Sequence, residues 1–111
     1  MEYRMSYLYL VGAILFEVFG TTCMKLSEGF TRTLPSVLIF VFYGISFAMF
    51  TLALKRLDVS LAYAIWAGLG TVCITAIGIL YFKEPNSVFK MVSIAFIIIG
   101  VVGLNLSNGG H

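Results

Sequence analysis

Apolar positions in this chain gather into four long runs. Met5–Met24 holds 20 residues with one interruption, Thr33–Leu54 holds 22, Val59–Phe82 holds 24 and Met91–Asn108 holds 18, the last three without a charge. A helix rises 1.5 Å per residue, so about 20 residues cross a 30 Å hydrocarbon core. Each run is long enough for one crossing, the fourth only just. The gaps between them are short and polar. Lys25 to Arg32 contains Ser27, Glu28 and Gly29, with Pro35 just beyond as a helix-start residue. Lys55 to Asp58 makes the second gap. Lys83-Glu84-Pro85-Asn86 makes the third, where Pro85 is placed to begin a helix. The pattern predicts an all-α integral membrane protein. It reads as one four-helix transmembrane domain over residues 1–111, with helices near 5–24, 33–54, 59–82 and 88–107.

Composition strengthens this reading. Hydrophobic residues make up 60% of the chain and charged residues 11%, against about 25% charged in a soluble domain. Mean hydropathy is +1.02, beyond what a soluble core of this size needs. A net charge of +2 with no basic run argues against nucleic acid as a partner. Cys23 and Cys73 each lie in an apolar run without a second cysteine or a histidine beside them, so they read as small hydrophobes. No metal site and no cofactor is called for. His111 ends a Ser-Asn-Gly-Gly-His stretch that reads as a disordered tail. The first run lacks a small-residue cleavage site and is expected to stay in place as a span.

Loop charges set orientation in the bilayer. Arg4, Lys55 and Arg56 fall on one side, and Lys25, Arg32, Lys83 and Lys90 on the other. So near a balance permits insertion in both orientations.

Glu17 is the one charged residue well inside an apolar run. A carboxylate at membrane depth costs roughly 2.5–3.5 kcal/mol on insertion scales, so it is a functional candidate by default. Ala13, Glu17, Gly20, Thr21 and Met24 share a helix face. Ala13 and Gly20 are small enough to let another backbone approach. Thr21, one turn away, can hydrogen-bond to Glu17. Burial disfavours the charged form of any carboxyl, and no basic residue lies at comparable depth in another run. Such an acid wants a cation from outside the protein, either a proton or a positively charged ligand. The two compete for the same oxygens, and the competition is itself a coupling mechanism.

Aromatic residues supply candidate walls. Tyr43, Ser46, Phe47 and Phe50 share a face of the second helix, and Tyr63, Trp66, Ala67 and Gly70 one of the third. Aromatic faces attract organic cations by roughly 0.5–2 kcal/mol each, and aromatic walls with a few polar handles describe a small-molecule pocket. The alternative is an interfacial belt or lipid-facing bulk, the expected lot of most phenylalanines here. Gly68 and Gly70 at mid-span mark either a hinge or a close packing contact. Gly100 and Gly103 give the fourth helix a small-residue face suited to a dimer interface. Many transporters combine two halves of inverted topology. One short chain inserted both ways would supply such halves as an antiparallel homodimer with two copies of Glu17 at one site.

These stretches resemble the small multidrug resistance family, and within it the quaternary-ammonium-exporting branch. The likeness rests on Ala13-Ile14-Leu15-Phe16-Glu17-Val18-Phe19-Gly20-Thr21-Thr22, on Met24 through Arg32, on Pro35-Ser36-Val37, on Tyr43 with Ser46-Phe47, and on Ala62 through Gly70. It covers essentially the whole chain. It implies a proton-coupled exporter of lipophilic, often aromatic cations, working as an antiparallel dual-topology dimer in the bacterial inner membrane, with a heterodimer of paralogues as a variant. By that likeness Glu17 is the shared proton and substrate site, and Tyr43, Phe47, Tyr63 and Trp66 touch substrate. Ser46 touches the carboxylate or its neighbours, Gly68 and Gly70 form a kink, and the fourth helix dimerises. Gly20-Thr21-Thr22 resembles the multidrug branch, whereas the guanidinium-exporting branch usually has Trp-Ala there. Phe16, Ser93 and the charged Lys83-Glu84 pair depart from the pattern. A guanidinium or polyamine exporter, an accessory membrane subunit and an ion channel stand as rivals. An enzyme is disfavoured, since the spans hold no histidine and no nucleophile paired with a base.

Overall fold

The computed structural model describes residues 2–109; the histidine tail at Gly110 and His111 lies outside the described residues. Four helices follow in order: α1 (Glu2–Leu26), α2 (Thr33–Ala53), α3 (Val59–Leu80) and α4 (Val88–Gly109). Each is long and apolar enough to cross a membrane. The chain divides into two compact units at Leu57–Asp58.

The first unit is an antiparallel pair of α1 and α2. Pairs along its length give the register: Met49 lies against Gly12, Ser46 meets Ala13, Tyr43 meets Gly20 and Thr21, and Phe40 stacks on Phe30. Leu10, Ala13, Ile14, Val18, Cys23 and Ile39 are buried. The sequence suggests that small residues on α1 admit another backbone; here they admit side chains. Met49 fills the space at Gly12, and the Tyr43 ring fills it at Gly20. Phe42 sits between Phe16 and Phe19, with ring centroids 6.1 and 5.7 Å away.

Ser27 fastens the turn between these helices. It is 2% exposed, although it lies in a gap that reads as polar. Its hydroxyl donates to the Met24 carbonyl (2.8 Å) and accepts from the Phe30 amide (3.2 Å), while its carbonyl accepts the Thr31 amide (2.9 Å). Glu28, Gly29 and Phe30 then take left-handed conformations in succession, with φ of 49°, 71° and 70°. Glycine adopts that region freely, but Glu and Phe do so at a cost of about 1–2 kcal/mol each. The Ser27 bonds and the Phe30–Phe40 stack, 6.3 Å between centroids, offset it.

The second unit pairs α3 with α4. A β-carbon at Gly68 would lie 2.7 Å from Val101 Cγ2 and 3.6 Å from Ile97 Cγ2, so the side chains of α4 pack directly on the α3 backbone at Gly68. Helix α3 runs unbroken through Gly68 and Gly70. It stops at Leu80, two residues short of the apolar run, where the Tyr81 amide makes the last helical bond to the Ile77 carbonyl and the Phe82 amide reaches back to the same carbonyl instead of the next one. Pro85 does not open α4. Ser87 does, its hydroxyl accepting the Lys90 amide (3.1 Å) in the manner of an N-cap. Lys90 reaches back to the Pro85 carbonyl (2.7 Å). A cavity of about 300 Å³ opens between the helices near this turn, lined by Val72, Thr75, Ile79, Asn86, Met91 and Ile94.

Candidate functional site

Glu17 lies midway along α1, on the face turned toward α2, and is half-buried. The i, i+4 spacing brings Thr21 over it, and Thr21 Oγ1 donates to Glu17 Oε2 at 2.7 Å. The Tyr43 hydroxyl, from α2, is in short hydrogen-bond contact with Thr21 Oγ1. A hydroxyl has one proton to give. With the Thr21 proton committed to the carboxylate, Tyr43 must be the donor to Thr21. Three side chains thus form a chain from Tyr43 through Thr21 to Glu17.

One turn toward the N-terminus, Ser46 is fully buried and donates to the Ala13 carbonyl at 2.6 Å. That carbonyl is also the helical i−4 partner of the Glu17 amide. Ser46 therefore touches the backbone that carries Glu17, not the carboxylate. Phe47 packs its ring on Tyr43, with centroids 5.8 Å apart, and leaves 53% of its surface open. The first unit so brings together Glu17, Thr21, Tyr43, Ser46, Phe47, Ala13 and Gly20.

Tyr63 and Trp66 belong to the second unit. They meet edge to face at 5.6 Å, with Tyr63 57% exposed. Gly68 and Gly70 are buried, and Gly68 faces α4. Gly100 and Gly103 are exposed, with open space where a β-carbon would stand. The hydropathic window of α4 has no buried residue, against a third of that of α1. Sequence reasoning placed Met24 on the Glu17 face without a role. The structure sets its sulfur 3.8 Å from the Tyr43 hydroxyl. Only the register between α1 and α2 could have revealed that pair.

Four membrane-crossing helices and one carboxyl group midway along the first, hydrogen-bonded by the Thr21 hydroxyl, define a small multi-pass membrane protein with an ionisable site in a span. Known sequences say which kind. The profile of the Small Multidrug Resistance protein family matches residues 5–97, and the chain belongs to that family. It is 44% identical to the multidrug resistance protein Mmr of Mycobacterium tuberculosis over 96% of this chain and all of that one. It is 41% identical to the quaternary ammonium compound-resistance protein QacC of Staphylococcus aureus, over 96% of this chain and all of QacC. A Bacillus subtilis relative, the membrane protein YvaE, is 56% identical over 92% of this chain and 86% of its own length.

Proposed function

We propose that this protein is a proton-coupled antiporter that exports lipophilic, often aromatic or quaternary, organic cations across the bacterial inner membrane. The observation that carries the reading is the partner set of Glu17: its carboxylate receives a hydroxyl from Thr21, and no lysine or arginine lies at its depth in the other apolar runs. A carboxylate so placed holds a proton or an organic cation, and each guest expels the other. The names of Mmr and QacC support multidrug and quaternary ammonium substrates over guanidinium. Tyr43 and Phe47 supply aromatic faces beside Glu17, and Tyr63 and Trp66 a second pair.

The working assembly is an antiparallel dimer of oppositely inserted copies. Support comes from the near balance of loop charges, three against four, and from the open small-residue face of α4 at Gly100 and Gly103. Two Glu17 carboxyls then serve one site. Drug binding from the cytoplasm displaces protons. The two subunits exchange inequivalent conformations, and the site turns outward. Protons from the acidic side release the drug. With two protons entering per monovalent cation expelled, one net charge moves inward, adding about 2.3 kcal/mol per 100 mV of membrane potential to the pH gradient.

The test is tetraphenylphosphonium binding to purified protein in detergent, titrated against pH. Affinity should rise with pH, because the ionised carboxylate is the cation's partner and the proton its competitor. Glu17→Gln should bind weakly and without pH dependence. Undiminished, pH-sensitive binding in that variant would overturn the assignment. Guanidinium run in the same assay separates the two branches.

A further inference from the structure

Tyr43 has two acceptors within reach, and Gly20 is what puts it there. A β-carbon at Gly20 would stand 3.0 Å from both Tyr43 Cδ2 and Cε2, and 3.4 Å from Phe42 Cβ. The ring therefore lies directly on the α1 backbone, one residue before Thr21. From that seat the phenol oxygen contacts Thr21 Oγ1 on one side and Met24 Sδ, at 3.8 Å, on the other.

We infer that Gly20 is a positioning residue, seating Tyr43 so that the hydroxyl chain can point toward Glu17 or away from it, with Met24 as the acceptor at its far end. The inference rests on the reading of Glu17 as the proton and cation site. Ionised Glu17 only accepts, so Thr21 donates to it and Tyr43 donates to Thr21. Every proton then points at the charge, and the bond at the carboxylate is charge-assisted and strong. When Glu17 takes up a proton and donates a hydrogen bond with it to Thr21, Thr21 turns to donate to Tyr43. The Tyr43 proton must go elsewhere, and the thioether of Met24 receives it. Sulfur is a weak acceptor. The seated tyrosine thus has a strong run of acceptors while the site holds a cation, and a weak sulfur acceptor while it holds a proton. The neutral state keeps what support Met24 provides.

Groups facing Glu17 leave this chain without a competitor in its unit. Helix α2 carries one titratable side chain, Tyr43, and no carboxylate, lysine, arginine or histidine. On α1 the ionisable groups within about two turns are Tyr9, which is half-buried, Cys23, which is buried, and Lys25, which is exposed at the helix end.

The test is the pH profile of tetraphenylphosphonium binding to the full chain in detergent, with helicity followed by circular dichroism. Tyr43→Phe removes the donor and should move the midpoint to higher pH by roughly 0.5 to 1 unit, a three- to tenfold loss of affinity at a fixed acidic pH. Gly20→Ala displaces the ring and should shift it the same way, with no further shift in the Gly20→Ala, Tyr43→Phe double variant. Met24→Leu removes the far acceptor and should move the midpoint the opposite way. Should Gly20→Ala not fold, the opposite signs of Tyr43→Phe and Met24→Leu still decide. Equal signs, or no shift in either, with Glu17→Gln giving a flat profile, would overturn this inference alone. A Glu17→Gln profile unchanged from the parent would overturn the site beneath it as well.

Discussion

Gly68→Ala offers the sharpest test of how α3 and α4 pack. The added methyl would stand 2.7 Å from Val101 Cγ2. Carbon atoms in contact prefer about 3.5–4.0 Å, so the neighbour must retreat by about 0.8 Å. Val101 retreats with difficulty, because a β-branched side chain in a helix has essentially one χ1 rotamer. Either the helices part or the methyl groups strain. Overpacking of this kind costs about 1–3 kcal/mol. Against it stands a gain of about 0.8–1.0 kcal/mol from replacing glycine with alanine inside a helix. The net expectation is a loss of up to about 2 kcal/mol. Val101→Ala removes the obstructing methyls, so in that background Gly68→Ala should keep only its helical gain and stabilise. The assay is reversible denaturation in mixed micelles, run as a double-mutant cycle. A coupling energy of at least ~1 kcal/mol between the two sites is expected. Gly68→Ala stabilising by itself, or a cycle that closes to zero, would refute the close contact. It would favour the hinge reading of position 68 over the packing one.

Other expectations concern the first unit and the aromatic pair. Ser46→Ala removes a buried donor from the Ala13 carbonyl, which keeps its helical partner; the loss should be about 0.6–1.7 kcal/mol in micelle denaturation, with a modest effect on cation affinity. Glu17→Asp draws the carboxylate back by one methylene from Thr21. Exchange of a fluorescent cation against a pH gradient should persist at reduced rate with a displaced pH optimum; full loss would mean that geometry as well as charge is essential. Trp66→Ala removes a ring that meets Tyr63. Calorimetry should show affinity for an aromatic cation falling by roughly 0.5–2 kcal/mol, more than for a small aliphatic one, with helicity retained.

The four crossings were legible in the chain because bilayer thickness translates directly into run length. Glu17 was legible because one acid in an otherwise uncharged stretch has few reasons to be there. The pairing of Thr21 with Glu17 followed from helical spacing. What periodicity does not contain is the register between neighbouring helices. That register comes from notches and what fills them, Gly12 with Met49 and Gly20 with Tyr43, and it alone brings the phenol to Thr21 and the sulfur of Met24 to the phenol. The fourth helix begins at Val88, within the 88–107 expected of it, but the residue that opens it was not legible. Pro85 is a generic starter, but the hydroxyl of Ser87 meets an actual amide, and a specific bond outweighs a propensity. Ser27 looked like part of a solvated gap, because its burial depends on a left-handed path that the chain takes only after it.

The Ser27 turn has a mechanical consequence. Fastened to α1 by two bonds, from its hydroxyl to Met24 and from its amide to Cys23, and to the residues that lead into α2 by others, it is a stiff joint, and a stiff joint transmits motion better than it absorbs it. On this geometry a tilt of α1 is expected to carry α2 with it. The acid and the phenol that reaches toward it then move as one lever, and on the proposed function the alternation of the site would be produced at surfaces outside this pair of helices.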